Sequence, residues 1–228
     1  MKNRVLVLGN GIIGKQVKSA AIGLGYSVAT ADLKDATYTI DLRDQELYMD
    51  TLLDWEPNVI FNTAGKDQKL GDDAKSLHKM TDYEWKDLFG HNTDLLFNVA
   101  RTSLEYLIKS DKKNKKLIFT PSTYSFTSPN PNFYNDDFVK SFAYVGSQSV
   151  YLNLVQYIAR HYAEHGIICN GFVPHLVMKE LKQVDNIYSP VGRTCLPEEL
   201  VPVLQMLIDE NNTYMNGEFV RVNGGWLC

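Results

Sequence analysis

The stretch VLVLGNGIIGK, residues 5–15, decides how this chain is read. Four apolar residues with β-branched valines at alternate positions have the character of a strand buried on both faces. They run straight into Gly9, Gly11 and Gly14, after which the pattern becomes helical. Each glycine has a separate task in such a turn. The first permits the sharp reversal, the second lets the backbone approach a pyrophosphate, and the third lets helix pack on strand. The amino end of the helix then faces the phosphate charge, and Ile13 is counted with the same cofactor-contacting turn.

Working outward from that turn, short apolar runs alternate with longer amphipathic stretches. RVLVL (4–8), SVATA (27–31), NVIFN (58–62), KLIFT (116–120), GIICNGF (166–172) and EFVRV (218–222) read as strands. Helices are expected near 12–24, 44–54, 82–110, 144–165 and 197–210, the last opened by Pro197 and two glutamates. Strand and helix in alternation predict a single-domain α/β protein over 1–228, a Rossmann-like doubly wound parallel sheet with helices on both faces. Asp32 closes the second strand about 20 residues beyond the glycines, where a carboxylate binds ribose hydroxyls and repels a 2′-phosphate. NAD is therefore expected over NADP, with nearby Lys34 weakening the preference. Asp41, in TIDLRD, is assigned to the adenine edge or to a helix N-cap.

Composition narrows the class of protein. The 228 residues carry a net charge of −4 and include 44% hydrophobic side chains, enough for one substantial core and no field for nucleic acid. The lysine run KSDKKNKK (109–116) reads as a solvated turn. Cys169, Cys195 and Cys228 are odd in number and far apart, which suits a reducing cytoplasm. No apolar run approaches the ~20 residues that span a bilayer, so a soluble cytoplasmic protein is expected. His161 and His165 read as a polar helix face, and Trp55, Trp85 and Trp226 as packing residues. Two long irregular stretches, 66–81 and 125–142, leave strands at their carboxyl ends, where such sheets bind ligands.

With NTAG (62–65) the chain begins to resemble the short-chain dehydrogenase/reductase family, whose corresponding strand ends in Asn-Asn-Ala-Gly. The resemblance continues in order. WKDLFGHNTDLLFNVAR (85–101) resembles the helix carrying the family's catalytic asparagine, here Asn92, and LIFTPST (117–123) the strand ending in the catalytic serine, here Ser122. YVGSQ (144–148) fills the Tyr-x-x-x-Lys slot, GIICNGFVPH (166–175) is similar to the strand ending in Pro-Gly, and NGEFVRVNGG (216–225) to the terminal Val-Asp-Gly-Gly segment. STYSFTSPNPNFYN (122–135) is similar to flagellin-modification and surface-sugar reductases, which implies a nucleotide-activated sugar or polyol as the small-molecule substrate.

The resemblance implies an NAD(P)-dependent oxidoreductase interconverting a hydroxyl and a carbonyl, working as a homodimer or homotetramer. Tyr144 is then the acid or base, Ser122 the partner of the substrate oxygen, and Asn92 the holder of a relay water. Asn62, Ala64, Gly65 and Pro174 contact the cofactor. Two positions depart from the pattern. Gln148 stands where the family has a lysine that holds the nicotinamide ribose and aids the tyrosine; its amide keeps the ribose contact but carries no charge. Lys140 lies one turn before Tyr144 and would lend that charge only if the helix began early, whereas the family helix begins near the tyrosine. His175 replaces the glycine of Pro-Gly and either enters the pocket or turns outward. The rival reading is a cofactor-binding homologue of impaired activity serving as a regulatory or assembly subunit.

Overall fold

The computed structural model describes residues 3–68, 76–130, 139–184 and 189–227. The apolar runs become strands because both faces of the sheet are covered, and an apolar residue at every position is then buried. Seven strands form one all-parallel sheet: β1 (Arg4–Leu8), β2 (Ser27–Asp32), β3 (Tyr38–Thr39), β4 (Val59–Asn62), β5 (Lys115–Phe119), β6 (Ile167–Pro174) and β7 (Phe219–Val222). Their order is β3-β2-β1-β4-β5-β6-β7. The order reverses between β1 and β4, which opens a crevice at the carboxyl ends of those strands.

Two apolar layers hold the sheet. Helices α1 (Ile12–Gly23) and α6 (Val201–Ile208) cover one face around Val5, Val7, Phe61, Ile118 and Phe172. Helices α2 (Gln45–Trp55), α4 (His91–Lys109) and α5 (Phe142–His161) cover the other around Leu6, Leu8, Ile60, Leu117 and Phe119. Alternate residues of each strand thus serve opposite layers. The register is level at the functional end: Leu8 pairs with Ala31 and Asn62, Asn62 with Phe119, and Phe119 with Gly171. Gly9, Asp32, Thr63 and Thr120 consequently leave the sheet along one rim.

Four elements differ from the sequence expectation; one is the helix expected over 197–210, which opens as a 3-10 turn, Pro197–Leu200, before α6. The two-residue β3 was not read as a strand, since TYTI carries no apolar run of its own and pairs only through Ala31 and Asp32. The single helix expected over 82–110 is interrupted: α3 (Asp82–Trp85) passes into a π-helical turn, Lys86–Gly90, before α4 begins at His91. A hydroxyl bond from Thr93 to the Phe89 carbonyl, 2.9 Å, and the low helix propensity of Gly90 accompany that wide turn. The helix expected from 144 begins two residues earlier, with Ser141 in the N-cap position.

Candidate active site

The glycine turn has the geometry its spacing implies. Gly9 has φ +92°, and a Cβ there would lie 2.8 Å from Thr63 Oγ1 and 2.9 Å from the Ala64 nitrogen. At Gly14 a Cβ would stand 2.0 Å from the Gly9 carbonyl oxygen, so the third glycine is what lets α1 reach the strand. Gly11 is different: no atom lies within 4 Å of its added Cβ, and it begins α1 without a side-chain cap. The amino end of α1 thus has open space beside it and no side-chain cap, and the unpaired first N–H groups of a helix so placed can bind an anion. Ile13 packs half-buried against the core beneath α1.

Beside the turn lies a cavity of about 220 Å³ whose lining includes Gly9, Gly11, Asp32, Asp41, Ala64 and Gly65. Asp32 is fixed at the end of β2 by two backbone N–H groups, from Asn10 and Leu33, each 2.6 Å from a carboxylate oxygen. Each oxygen keeps a lone pair for a further donor. Asp41 does not cap α2. Asp44 does so, accepting from the Glu46 and Leu47 nitrogens, while Asp41 is gripped by Arg43, with Nη2 at 2.6 Å and Nε at 3.1 Å. That guanidinium holds the Asp41 carboxyl below its usual range. His91 also lines the cavity, its Nδ1 3.3 Å from Arg43 Nη1. Burial first, then the charges of Arg43 and Lys66, lower its pKa and keep the imidazole neutral near pH 7.

At the other end of the rim the predicted reacting residues are linked through α5. Asn92, 3% exposed, clamps the Lys66 peptide: its Oδ1 accepts from the Lys66 nitrogen at 2.8 Å and its Nδ2 donates to the Lys66 carbonyl at 2.9 Å. The same Nδ2 reaches Ser147 Oγ at 3.2 Å, and Ser147 donates to the Tyr144 carbonyl at 2.7 Å. Gln148, expected to hold ribose, has a protein partner for its amide oxygen. Its Oε1 accepts from the Ser122 backbone nitrogen at 3.0 Å, and the residue is 5% exposed. The amide at 148 thus holds the backbone of the candidate serine, in the half-buried turn that follows β5, by accepting from its N–H.

Lys140 supplies a correction. Its Nζ lies 4.3 Å from the ring centroid of Tyr144 and 5.9 Å from that of Tyr124. It is paired with Asp67 at 2.6 Å, and its side chain is 8% exposed. It reaches the ring from outside α5, whose N-cap is Ser141, so the contact does not require Lys140 to be helical. His175 does not turn outward: its ring stacks on Trp226 at 4.3 Å and 1°, and Tyr124 meets Trp226 edge-on at 6.0 Å. Trp226 is therefore part of the rim as well as a packing residue. Asn62 accepts from the Ala64 nitrogen at 3.2 Å, and its Nδ2, like Thr120 Oγ1, is buried with no partner among the described residues. Pro174 ends β6 opposite Val222.

Sequence reasoning passed over His91, Arg43, Asp67 and Gln68. The one signal for the last two was their position directly after NTAG, where a strand end becomes rim. Residues 69–75 of the first irregular stretch, 131–138 of the second, including the end of STYSFTSPNPNFYN, and Cys228 lie outside the described residues.

The family model described as enoyl-(acyl carrier protein) reductase matches residues 15–227. The chain is a short-chain dehydrogenase/reductase. Like others of that family, this dehydrogenase/reductase is an NAD(P)-dependent oxidoreductase. It is 24% identical over 223 residues to 2-dehydro-3-deoxy-D-gluconate 5-dehydrogenase of Dickeya dadantii, covering 92% of this chain and 80% of that one. In three dimensions it is similar to a short chain dehydrogenase of Leptospira borgpetersenii with bound NAD+ (TM-score 0.85, 19% identity, 100% of this chain and 94% of that one). It is also similar to ElxO with NADP bound (TM-score 0.82, 17% identity, 100% and 99%). Among its described residues no helix is long and apolar enough to cross a membrane.

Proposed function

We propose that this dehydrogenase/reductase interconverts a secondary hydroxyl and a carbonyl on a small polyhydroxylated substrate, a sugar, sugar acid or polyol. Tyr144 is the proton-transferring group, Ser122 the hydrogen-bond partner of the reacting oxygen, and Asn92 the residue that fixes the rim. The observation that carries this reading is the chain of contacts from the Lys66 peptide through Asn92 and Ser147 to Tyr144, with Gln148 tying the same helix to Ser122. These contacts tie the backbone of Tyr144, the Ser122 nitrogen and Asn92 together, which supports a shared role for the three.

The residues suit a dinucleotide. Open space at Gly11 and the uncapped start of α1 fit a pyrophosphate, and the Asp32 oxygens fit ribose hydroxyls. The buried, unpartnered Asn62 Nδ2 and Thr120 Oγ1 fit a polar occupant of the crevice. Asp32 at the end of β2 favours NAD over NADP, because its charge opposes a 2′-phosphate. When bound, the nicotinamide accepts or gives the hydride. The protein's own task is the proton: in oxidation the Tyr144 phenolate takes it from the substrate hydroxyl as the C–H hydrogen leaves with its electron pair and C=O forms. Reduction reverses both transfers. Ser122 holds the oxygen throughout, and Gln148 keeps Ser122 in place.

The sugar assignment draws on the Dickeya relative and on the segment after Ser122. An assembly of two or four copies through α4 and α5 is part of the same reading, as is a cytoplasmic setting. The test is turnover of NAD and NADP, followed by nicotinamide absorbance, across sugar acids, polyols, nucleotide sugars and 3-hydroxyacyl thioesters. A polyhydroxylated substrate should be turned over with NAD preferred, and Tyr144→Phe should lower kcat about 100-fold or more while cofactor affinity is kept. Turnover insensitive to Tyr144→Phe would remove the assignment of the phenol. NADH binding with no turnover of any compound would favour the impaired, regulatory role instead.

A further inference from the structure

We propose that Lys140, reaching Tyr144 from the amino-terminal side of α5, supplies the positive charge that readies this phenol for proton transfer in a chain whose residue 148 is neutral. This rests on the assignment of Tyr144 as the acid and base. The geometry is specific. The Lys140 ammonium stands 4.3 Å from the Tyr144 ring centroid, and its side chain is 8% exposed, so solvent screens the charge little.

The position is built rather than incidental. Gln68 binds the chain on both sides of Lys140: its Nε2 donates to the Val139 carbonyl at 3.1 Å and its Oε1 accepts from the Ser141 nitrogen at 2.7 Å. Asp67, the preceding residue, takes the ammonium itself at 2.6 Å. Both follow Lys66, whose peptide Asn92 clamps. The segment after β4 thus fixes the entry to α5 with three contacts and leaves one lysine against the tyrosine. Gln148 is engaged elsewhere, on the Ser122 nitrogen.

A cation at this distance favours the charged phenolate over the neutral phenol, and a carboxylate on that cation opposes the effect. Among the described residues the titratable groups on the surrounding elements include Lys140 itself, Asp67 after β4, Tyr124 after β5, His175 after β6 and the Lys66–Asp87 pair beside Asn92. Of these, Lys140 is the cation placed on the phenol's ring. Lys140 is a positioning residue in this scheme: the proton moves to and from Tyr144, and the lysine sets how readily.

The test reads ionisation directly and needs no substrate. Tyrosinate absorbance is titrated for the full-length protein and Tyr144→Phe, and for Lys140→Gln and the Lys140→Gln, Tyr144→Phe double variant. Subtraction within each pair isolates Tyr144 among the 13 tyrosines. The Tyr144 midpoint should lie about 1 pH unit or more higher without Lys140 and return toward its original place in Lys140→Arg. Asp67→Asn should move it in the opposite direction, downward, which a merely structural role for this corner would not produce. Equal midpoints in the two backgrounds would overturn the proposal. So would Asp67→Asn and Lys140→Gln moving the midpoint the same way; should Lys140→Gln fail to fold, the sign of the Asp67→Asn shift decides. If the midpoints separate as expected while Tyr144→Phe leaves turnover unchanged, the charge on the phenol stands and its catalytic assignment falls.

Discussion

At the scale of single residues, the three glycines of the first turn have identical side chains and unlike tolerances. A methyl at Gly14 would collide with the Gly9 carbonyl, a backbone atom that cannot move aside without unseating α1. Gly14→Ala should lower stability by about 1–3 kcal/mol, as overpacked sites do, and weaken cofactor binding as a consequence. Gly11→Ala meets nothing, and as an N-cap change it should cost only about 0.5 kcal/mol. Its methyl would occupy the space assigned to phosphate, so affinity for NADH should fall about 10-fold or more while the melting temperature hardly moves. Calorimetric titration beside thermal melting separates the two variants, and equal affinity in wild type and Gly11→Ala would move the pyrophosphate elsewhere. This contrast was legible in the sequence, because the demand falls on backbone geometry and only glycine meets it. The Lys140–Tyr144 contact was legible only as a spacing of four residues, not as a geometry. What holds it is Gln68 binding residues 71 and 73 positions away, and the four-residue spacing does not show that anchor. Gln148 was read for its chemistry as a hydrogen-bonding amide, and its oxygen bonds the Ser122 nitrogen, a partner the sequence reading did not name.

Among the elements, long apolar runs identified six of the seven strands, and the helix positions followed from what lay between. What escaped were features set by contacts across elements, namely the short β3, the π-helical turn before Asn92 and the early start of α5. β5 holds another. KKLIF begins with two lysines, which a sequence reading assigns to a solvated turn, yet Lys116 is 1% exposed. Its Nζ donates to the carbonyls of Leu207 at 3.3 Å, Asp209 at 2.6 Å and Asn212 at 2.7 Å, closing the carboxyl end of α6. Removing the donor leaves those carbonyls unsatisfied, so Lys116→Met should destabilise the fold by about 1–3 kcal/mol near pH 7. Burial draws the Lys116 pKa down from 10.5 to about 8. Between those values the unfolded chain binds more protons at this residue than the folded one, and stability contributed here rises with pH. The difference between wild type and Lys116→Met in denaturant unfolding should therefore widen from pH 8 toward 10.5. A gap that stays flat or narrows would mean the ammonium is not desolvated at the end of α6.

For the molecule as a whole, α4 and α5 expose large apolar side chains. Phe97 is 63% exposed on α4, and Val150 and Tyr157 are 40% and 56% exposed on α5. Arg101 lies over the Phe97 ring at 5.1 Å and His161 against Tyr157 at 4.3 Å, so each aromatic is flanked by a group able to form a polar rim. Two-fold pairing places one patch against its copy and counts every buried ring twice, each worth about 1.5–3 kcal/mol when fully covered. Tyr144 and Gln148 belong to the same helix, so pairing there would brace the element that carries the phenol proposed to move the proton. Phe97→Asp and Tyr157→Asp put a carboxylate into that contact, where it has no partner and its desolvation opposes association. Sedimentation velocity should find wild type as a dimer or tetramer and both variants as single chains, with far-ultraviolet dichroism unchanged. Because association stabilises the folded state by mass action, the wild-type melting temperature should also rise with protein concentration and that of the variants should not. Wild type sedimenting as one chain, or variants that stay assembled, would place the contact on a different face.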